Sequence, residues 1–204
     1  AMLAVADRHR VGAGEMLYRK GDGAGAFFGV VRGVFKVSTL GADGREGILS
    51  MLEAGNWFGE TTLLDGLPRP HDVTAVQGSE VLVIGPAAFA RLLQRPAFSQ
   101  AMHRLLCSRV RTLYTLVEDS MLRSTSVRVT RRLLALARGD ATLASSTRAS
   151  VAVSQEALAM MLGLTRQTLS RELKRLVRAG AVALAYGRIE IVCLPELERL
   201  AALG

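Results

Sequence analysis

The sequence predicts an α+β protein: an N-terminal antiparallel β-sandwich or jelly roll, a long helix, and a C-terminal winged helix-turn-helix. Three observations predict this order. Short apolar segments alternate with glycine-bearing turns in the first half, no Gly or Pro occurs from residue 97 to residue 138, and two closely spaced helical segments precede a hairpin pattern. We therefore expect a β domain over residues 1–95, a dimerisation helix over 96–123 and a further domain over 124–204.

The first half of the chain has the pattern of an antiparallel β domain. Strand-like segments occupy residues 26–31, 33–39, 46–52 and 80–84, and turns such as Gly21-Asp22-Gly23 separate them. Short apolar segments at regular spacing, with glycine in the turns, are typical of an all-β sandwich or barrel.

An apolar stripe follows the predicted long helix. Leu106, Val110, Leu113 and Val117 are separated by four, three and four residues, which is a short heptad repeat. Such a stripe packs either on its own domain or against a second chain, and its position between two domains favours a dimer. The predicted dimer interface consists of Met102, Leu106, Val110, Leu113, Val117 and Met121.

The long helix is predicted to end at Arg123-Ser124-Thr125-Ser126. Small hydroxyl residues favour helix caps and turns, because their side chains bond to the nearby backbone. We therefore place a hinge at residues 124–126 and a second helix over residues 127–137, which Gly139-Asp140 ends.

Two helical segments near the C-terminus have the arrangement of a helix-turn-helix. They cover residues 154–162 and 165–179, and Gly163-Leu164 separates them. Thr165 is suited to cap the second helix, since a threonine hydroxyl accepts a hydrogen bond from the first helical turn. Residues 180–192 then predict a β-hairpin wing with Arg188 near its turn.

The second of these helices carries side chains that suit the major groove of DNA. Its apolar stripe leaves Arg166, Gln167, Ser170, Arg171 and Lys174 on the opposite face. Arg bonds guanine bidentately, Gln bonds adenine, and Ser serves either bases or phosphates. A helical hairpin with a merely solvated polar face is the alternative interpretation.

The distribution of charge favours DNA binding. Residues 121–204 hold 13 Lys and Arg against 6 Asp and Glu, whereas residues 1–120 hold 13 against 12. A basic region attracts phosphate backbones, membranes or acidic proteins, and charge alone does not choose among them. Among these three partners, the polar face of the second helix favours DNA.

The order of these elements, together with several short motifs, resembles a known family. The motifs are Gly21-Asp22, Val31-Arg32-Gly33, Phe58-Gly59-Glu60, Gly66-Leu67-Pro68-Arg69, Ser154-Gln155-Glu156 and the segment 163–171. Taken in this order, they resemble the CRP/FNR family of bacterial transcription regulators over nearly the whole chain. The resemblance implies a cyclic-nucleotide-binding-like β domain with an effector pocket, a homodimer, a near-palindromic double-stranded DNA site, and RNA polymerase as a further partner.

The resemblance also assigns DNA-binding roles to individual residues. Arg166, Gln167 and Arg171 correspond to base readers, and Thr165 and Thr168 correspond to phosphate contacts. The predicted DNA-binding residues are Gln155, Thr165, Arg166, Gln167, Thr168, Ser170, Arg171, Lys174 and Arg188. Because Gln167 stands where relatives often have Glu, and Gln pairs best with adenine, we expect an operator that differs from the best-known family consensus.

The identity of the effector is less clearly indicated. In cyclic-nucleotide-binding relatives a Gly-Glu pair meets the ribose and an Arg followed by Ser or Thr grips the phosphate. Gly59, Glu60 and Arg69 match this pattern, but Pro70 offers neither a hydroxyl nor a backbone N–H. The resemblance places the purine contacts at Leu113 and Tyr114, where relatives have Thr-Ser, so cyclic AMP is disfavoured. The candidate effector-binding residues are Gly59, Glu60, Arg69, Pro70, His71, Arg109, Leu113 and Tyr114.

Several alternatives stay open for control of the protein. His71 could ligate haem, Glu60 and Arg69 could form a structural ion pair, and the protein could be competent without an effector. A module that responds to cyclic nucleotides and acts on a partner protein is a further alternative. If an effector exists, we expect it to alter the 106–117 seam and to swing the C-terminal domain about the hinge.

Other classes of protein are disfavoured by what the sequence lacks. Cys107 and Cys193 are far apart and are expected to be reduced, buried thiols, and the four-cysteine pattern of an iron-sulfur sensor is missing. The three histidines are not spaced as metal ligands, so neither a metal site nor a cupin-type enzyme is expected. No apolar run suits a membrane span, and we expect a cytoplasmic protein without catalytic residues.

Overall fold

The computed structural model describes residues 2–140 and 147–203 of the chain. The chain forms two compact units, Ala1–Cys107 and Ser108–Gly204, and the division falls within the longest helix. The domain limits expected after residues 95 and 123 stay predictions.

Strands predominate in the chain up to Ile84, and helices predominate after it. Strands β1 to β8 are Asp7–Val11, Met16–Tyr18, Phe27–Arg32, Val34–Leu40, Glu46–Glu53, Trp57–Phe58, Asp72–Ala75 and Ser79–Ile84, and β9 to β11 are Ser150–Val151, Val182–Ala185 and Arg188–Ile191. Helices α1 to α7 are Glu60–Asp65, Pro86–Leu93, Pro96–Leu122, Thr125–Ala137, Gln155–Leu162, Arg166–Arg178 and Leu194–Ala201. A short 3-10 helix, Met2–Val5, precedes β1.

Two antiparallel sheets enclose the core of the first unit. Their strand orders are β1-β8-β3-β6 and β2-β7-β4-β5. Phe28, Phe58 and Val81 from the first sheet meet Phe35 and Val73 from the second, and all five side chains are buried. The α+β class with an N-terminal jelly roll is therefore confirmed.

A second apolar cluster fastens helices to the outer face of the first sheet. Phe27 is fully buried, and its ring centroid lies 5.1 Å from that of Trp57, 5.3 Å from Phe89 and 6.4 Å from Phe98. Burying each of these side chains stabilises the unit by roughly 1.5 to 3 kcal/mol. Trp57 fits because Gly29 lacks a side chain, since a Cβ atom there would lie 2.8 Å from the indole ring.

Helices and a small sheet form the core of the second unit. Leu133 of α4, Leu158 of α5, Leu169 and Leu173 of α6, and Ile189 of β11 are each at most 1% exposed. The sheet has the strand order β10-β11-β9. The predicted helix-turn-helix and its hairpin wing are therefore confirmed.

Two expectations from the sequence were wrong in detail. Only Arg123 and Ser124 separate α3 from α4, because the Ser124 side chain accepts a hydrogen bond from the Val127 backbone N–H at 3.4 Å, and the helix begins at once. The break between the helices is therefore shorter than the hinge expected over residues 124–126. Cys107 is exposed rather than buried, because α3 turns Met102 and Leu105 toward the core instead.

Candidate DNA-binding surface and effector pocket

The first turn of α6 is fixed by two threonine hydroxyls. Thr165 is the N-cap, and its Oγ1 atom accepts a hydrogen bond from the Thr168 backbone N–H at 3.2 Å. The two hydroxyl oxygens are themselves 3.0 Å apart and hydrogen-bonded. Both hydroxyls thus lie at the positively polarised end of the helix, where backbone N–H groups and the helix dipole favour an anion such as a phosphate.

The turn before α6 is built to bring the two helices together. Gly163 adopts a left-handed conformation with φ of 64°, which ends α5, and the Leu164 N–H donates to the Ala159 carbonyl at 3.0 Å. From α4, the Arg128 guanidinium donates to the Leu162 carbonyl at 2.9 Å. A side chain from a third helix therefore secures the last turn of α5.

The two faces of α6 differ sharply. Leu169, Leu173 and Leu176 are fully buried, whereas the predicted readers Arg166, Gln167, Arg171 and Lys174 are exposed and Ser170 is half-buried. Within the part of the chain that the structure describes, no protein group hydrogen-bonds to the side chains of Arg166, Gln167, Arg171 or Lys174. These donors are therefore available to a ligand outside the protein.

The wing forms one wall of a cleft beside α6. A two-residue turn, Tyr186-Gly187, joins β10 to β11, and Gly187 has φ of 69°. The cleft has a volume of about 290 Å³. It is lined by residues 153–156 at the start of α5, by Arg166, and by residues 185–188 of the wing. Gln155 and Arg188 thus lie beside the first turn of α6, and Arg188 also pairs with Glu190 at 3.0 Å.

Tyr186, at the tip of the wing, lines the cleft but is not among the residues predicted to bind DNA. Tyr186 is fully exposed at the turn of the hairpin. Its only signal in the sequence is its place directly before Gly187, and a turn residue offers no periodicity from which to predict a contact.

The predicted dimer stripe has two different environments along α3. Met102 is 6% exposed in the core of the first unit, and Leu106 is half-buried. In the second unit Val110, Leu113 and Val117 are between 49% and 61% exposed, and Met121 is 75% exposed. The apolar side chains that need a covering surface are therefore the last four of the six.

Arg69 is the central cation of the predicted effector pocket, and it is already bonded within the protein. It is only 2% exposed, and its Nη1 and Nη2 atoms donate to the carbonyls of Gly59 at 2.9 Å and Ala26 at 2.8 Å. Its guanidinium carbon lies 4.3 Å from the centroid of the Tyr18 ring. Burial lowers the pKa of Arg69, and nearby Tyr18, Glu60 and Asp22 partly offset this effect.

The neighbouring pocket residues leave little room around this arginine. Glu60 is fully buried at the start of α1. Gly59 has φ of 91°, and a Cβ atom there would lie 2.8 Å from the Ala26 carbonyl oxygen and 2.9 Å from Arg69 Nη1. Pro70 is exposed, and His71 is half-buried, with its pKa lowered by burial and then by Lys20.

The remaining candidate effector residues belong to the other unit. Arg109, Leu113 and Tyr114 lie on the part of α3 beyond residue 107, and Tyr114 is 73% exposed. The structure thus brings Gly59 and Arg69 together within the first unit. The three helix residues belong to the second unit.

These observations test whether a cyclic phosphate fits the β domain. Two of the five N–H donors of Arg69 are bonded to main-chain carbonyls, and its buried Nε has no hydrogen-bond partner within the described residues. Pro70 has neither an N–H nor a hydroxyl to offer a phosphate. This position is therefore less suited to a cyclic phosphate than an arginine followed by a hydroxyl residue.

The described residues show neither a metal site nor a membrane-spanning helix. Residues 2–140 and 147–203 contain no group of three or more His, Cys, Asp or Glu side chains arranged to hold a metal ion. In that same part of the chain, no helix is both long enough and apolar enough to span a bilayer.

Comparison with known proteins assigns both units. The family model of the cyclic nucleotide-binding domain matches residues 8–96, and that of the Crp-like helix-turn-helix domain matches residues 127–200. The transcriptional regulator LdrP of Thermus thermophilus is 30% identical over 190 residues, which cover 91% of this chain and 92% of LdrP. The CRP-like cAMP-activated global transcriptional regulator of Mycobacterium tuberculosis is 26% identical over 192 residues, covering 92% of this chain and 84% of that protein.

A solved structure agrees with these relatives. FixK2 from Bradyrhizobium japonicum superimposes with a TM-score of 0.82 at 20% identity, covering 98% of this chain and 99% of FixK2, and this likeness supports the fold. The relatives are transcriptional regulators rather than enzymes. With a β domain matched to one family model, a helix-turn-helix matched to the other, and relatives that span almost its whole length, the chain belongs to the CRP/FNR family of transcription regulators.

Proposed function

We propose that the protein is a homodimeric, sequence-specific regulator that reads a near-palindromic operator with two copies of α6. The observation that carries this proposal is the exposed polar face of α6. A buried leucine stripe holds that face rigidly, and its cations lack protein partners within the described residues. Preorganised donors of this kind match the base edges of a major groove.

The individual roles follow from position on α6. Arg166, Gln167 and Arg171 read bases, and Ser170 supports them. Thr165 and Thr168 bond a backbone phosphate at the helix N-terminus, with Lys174, Gln155 and Arg188 adding contacts at the edges of the surface. RNA polymerase is proposed as the partner of the bound regulator, because the relatives are named as transcriptional regulators.

Dimerisation is proposed through the exposed part of the α3 stripe. Val110, Leu113 and Val117 recur at heptad spacing, Met121 extends the stripe by one turn, and all four leave apolar surface in water. A second copy of α3 would bury this surface symmetrically. Native mass spectrometry of the full chain should give twice the monomer mass, and Leu113→Glu should return the protein to a monomer.

Selection from random duplex DNA tests sequence-specific binding. We expect the wild-type chain to enrich one near-palindromic motif, and Arg171→Ala to cost about 1 to 3 kcal/mol at one base position. Arg178→Ala is the matched control, because it removes another exposed arginine, at the far end of the same helix. Equal enrichment of all sequences by the wild type, or a loss for Arg171→Ala that is the same on every sequence, would contradict the proposal.

Control by a small effector in the β domain is also proposed, although not by a cyclic nucleotide gripped through its phosphate. The name of the Mycobacterium tuberculosis relative states cAMP activation, but Arg69 here is bonded to main-chain carbonyls. Native mass spectrometry and absorbance spectroscopy of the purified protein distinguish the alternatives. A retained small molecule supports an effector, a Soret band indicates haem at His71, and full operator binding by protein without any ligand indicates constitutive activity.

A further inference from the structure

An ion pair with a buried carboxylate and a partly exposed arginine crosses the junction between the long helix and the DNA-binding helices. Asp119 lies in the last turn of α3 and is only 7% exposed. Its Oδ2 atom accepts a hydrogen bond from Arg131 Nε of α4 at 2.9 Å. Since only Arg123 and Ser124 separate the two helices, this pair joins both sides of the break.

The α4 helix in turn holds the parts that position the recognition helix. Arg128 bonds the last carbonyl of α5, and Thr130 Oγ1 accepts a hydrogen bond from Arg175 of α6 at 3.5 Å. Arg132 forms a bidentate pair with Asp140 after the end of α4, with distances of 2.7 and 3.1 Å. Any change in the direction of α4 is therefore passed on to α5 and α6.

The surroundings of Asp119 make the pair sensitive to geometry. Its Oδ1 atom is buried and has no hydrogen-bond partner within the described residues, so Oδ2 carries the main compensation for burying the charge. A buried carboxylate that loses its partner is strongly destabilised, because its charge is left without a compensating hydrogen bond. Conformations of the break that separate Asp119 from Arg131 are disfavoured for this reason.

We propose that Asp119 is a positioning residue, which acts through Arg131 to fix the direction in which α4 leaves α3. In a dimer this direction sets the separation of the two recognition helices. Successive major grooves on one face of B-DNA are about 34 Å apart, so a tilt at α4 misplaces one helix while the other is bound. The inference rests on the proposed dimeric function and adds to it the side-chain pair that sets half-site spacing.

The test compares a full operator with a duplex that contains only one half-site, both taken from the selection experiment. For Asp119→Asn in the full chain we expect affinity for the full operator to fall about tenfold. Affinity for the half-site should stay unchanged, because α6 itself is intact. The control is Glu118→Gln, the adjacent residue on the same helix, whose carboxylate is half exposed and lies 3.6 Å from Arg123. This control should change neither affinity.

A charge reversal separates positioning from simple stabilisation. Asp119→Arg combined with Arg131→Asp rebuilds the pair with opposite polarity and should restore part of the lost operator affinity, whereas Asp119→Arg alone should not. An equal loss on full and half sites, an unchanged full-site affinity, or a lack of any rescue would overturn the inference. If the wild-type protein binds a full operator no more tightly than a half-site, the proposed dimeric function is wrong. This result is known before any variant is made.

Discussion

Arg69 in the first unit and Arg171 in the second are the same kind of side chain in opposite surroundings. Arg69 is buried, stacks on Tyr18 and donates to two main-chain carbonyls. Arg171 is exposed on α6 and has no protein partner within the described residues. Arginine carries its charge at any physiological pH, so the difference lies in which donors are already used.

This contrast explains why the two units give different amounts of information about function. Donors held open on a rigid helix indicate an external acceptor, and the regular spacing of α6 supplies a geometry for it. The two Arg69 donors that bond the carbonyls of Gly59 and Ala26 indicate a structural role for this side chain. Whether the hydrogen-bond donors of an arginine are already bonded within the protein therefore indicates its role better than the residue type does.

The largest expected effect comes from removing the buried arginine. Arg69→Met keeps much of the side-chain volume but leaves the carbonyls of Gly59 and Ala26 without their donors, which should cost about 3 kcal/mol of folding free energy. The thermal midpoint of the first unit should fall on the order of 10 °C. Trp57 is the only tryptophan in the chain, and it lies in this unit, so its fluorescence reports the transition.

Arg8→Met is the control for this variant. Arg8 lies in the same unit and pairs with Glu80 at 2.8 Å, but its side chain is 67% exposed. Exposed pairs contribute little to stability, so this substitution should move the midpoint far less. Equal shifts for the two variants would show that Arg69 is not the structural cation described above.

A smaller effect is expected at the cap of the recognition helix. Thr165→Ala removes the hydroxyl that accepts from the Thr168 N–H, and this should cost the second unit about 1 kcal/mol. The variant should also weaken binding to every DNA sequence alike, since the lost contact is to a phosphate. Thr165→Ser keeps the hydroxyl and should retain both properties. Chemical denaturation and operator titration check the two parts, and a base-specific loss for Thr165→Ala would contradict the phosphate role.

Much of the second unit could be predicted from the sequence because its signals are local. Thr165, Gly163 and the leucine spacing each act within one or two helical turns, so the bounds of α5 and α6 differ from the prediction by one residue at most at each end. Four of the eight strands of the first unit, β3, β4, β5 and β8, were predicted within one residue at each end for the same reason. Short elements such as α1 and β9 have too few residues to show a period.

The features that were missed depend on contacts between distant segments. Arg69 bonds Ala26, which is 43 residues away, and no local pattern reveals that acceptor. The stripe on α3 appeared continuous, yet Met102 and Leu105 pack beside Phe98 in the first unit while Val110 and Leu113 stay exposed. The face that a helix buries is decided by what lies beside it, and heptad spacing does not contain that information.

The smallest expected effect is the response to cyclic AMP, which tests whether Arg69 is less available to a ligand than Arg171. A ligand that binds only the folded state at 100 times its Kd raises stability by about 2.7 kcal/mol. We expect no such shift in the Trp57 melting midpoint and no change in operator affinity, because Pro70 offers a phosphate no donor and two donors of Arg69 are already bonded to carbonyls. Pro70→Ser restores the missing hydroxyl and should still give no response, since Arg69 stays engaged. A response by this variant alone would place the obstacle at Pro70, whereas a response by the wild type would show that Arg69 is as available to a ligand as Arg171.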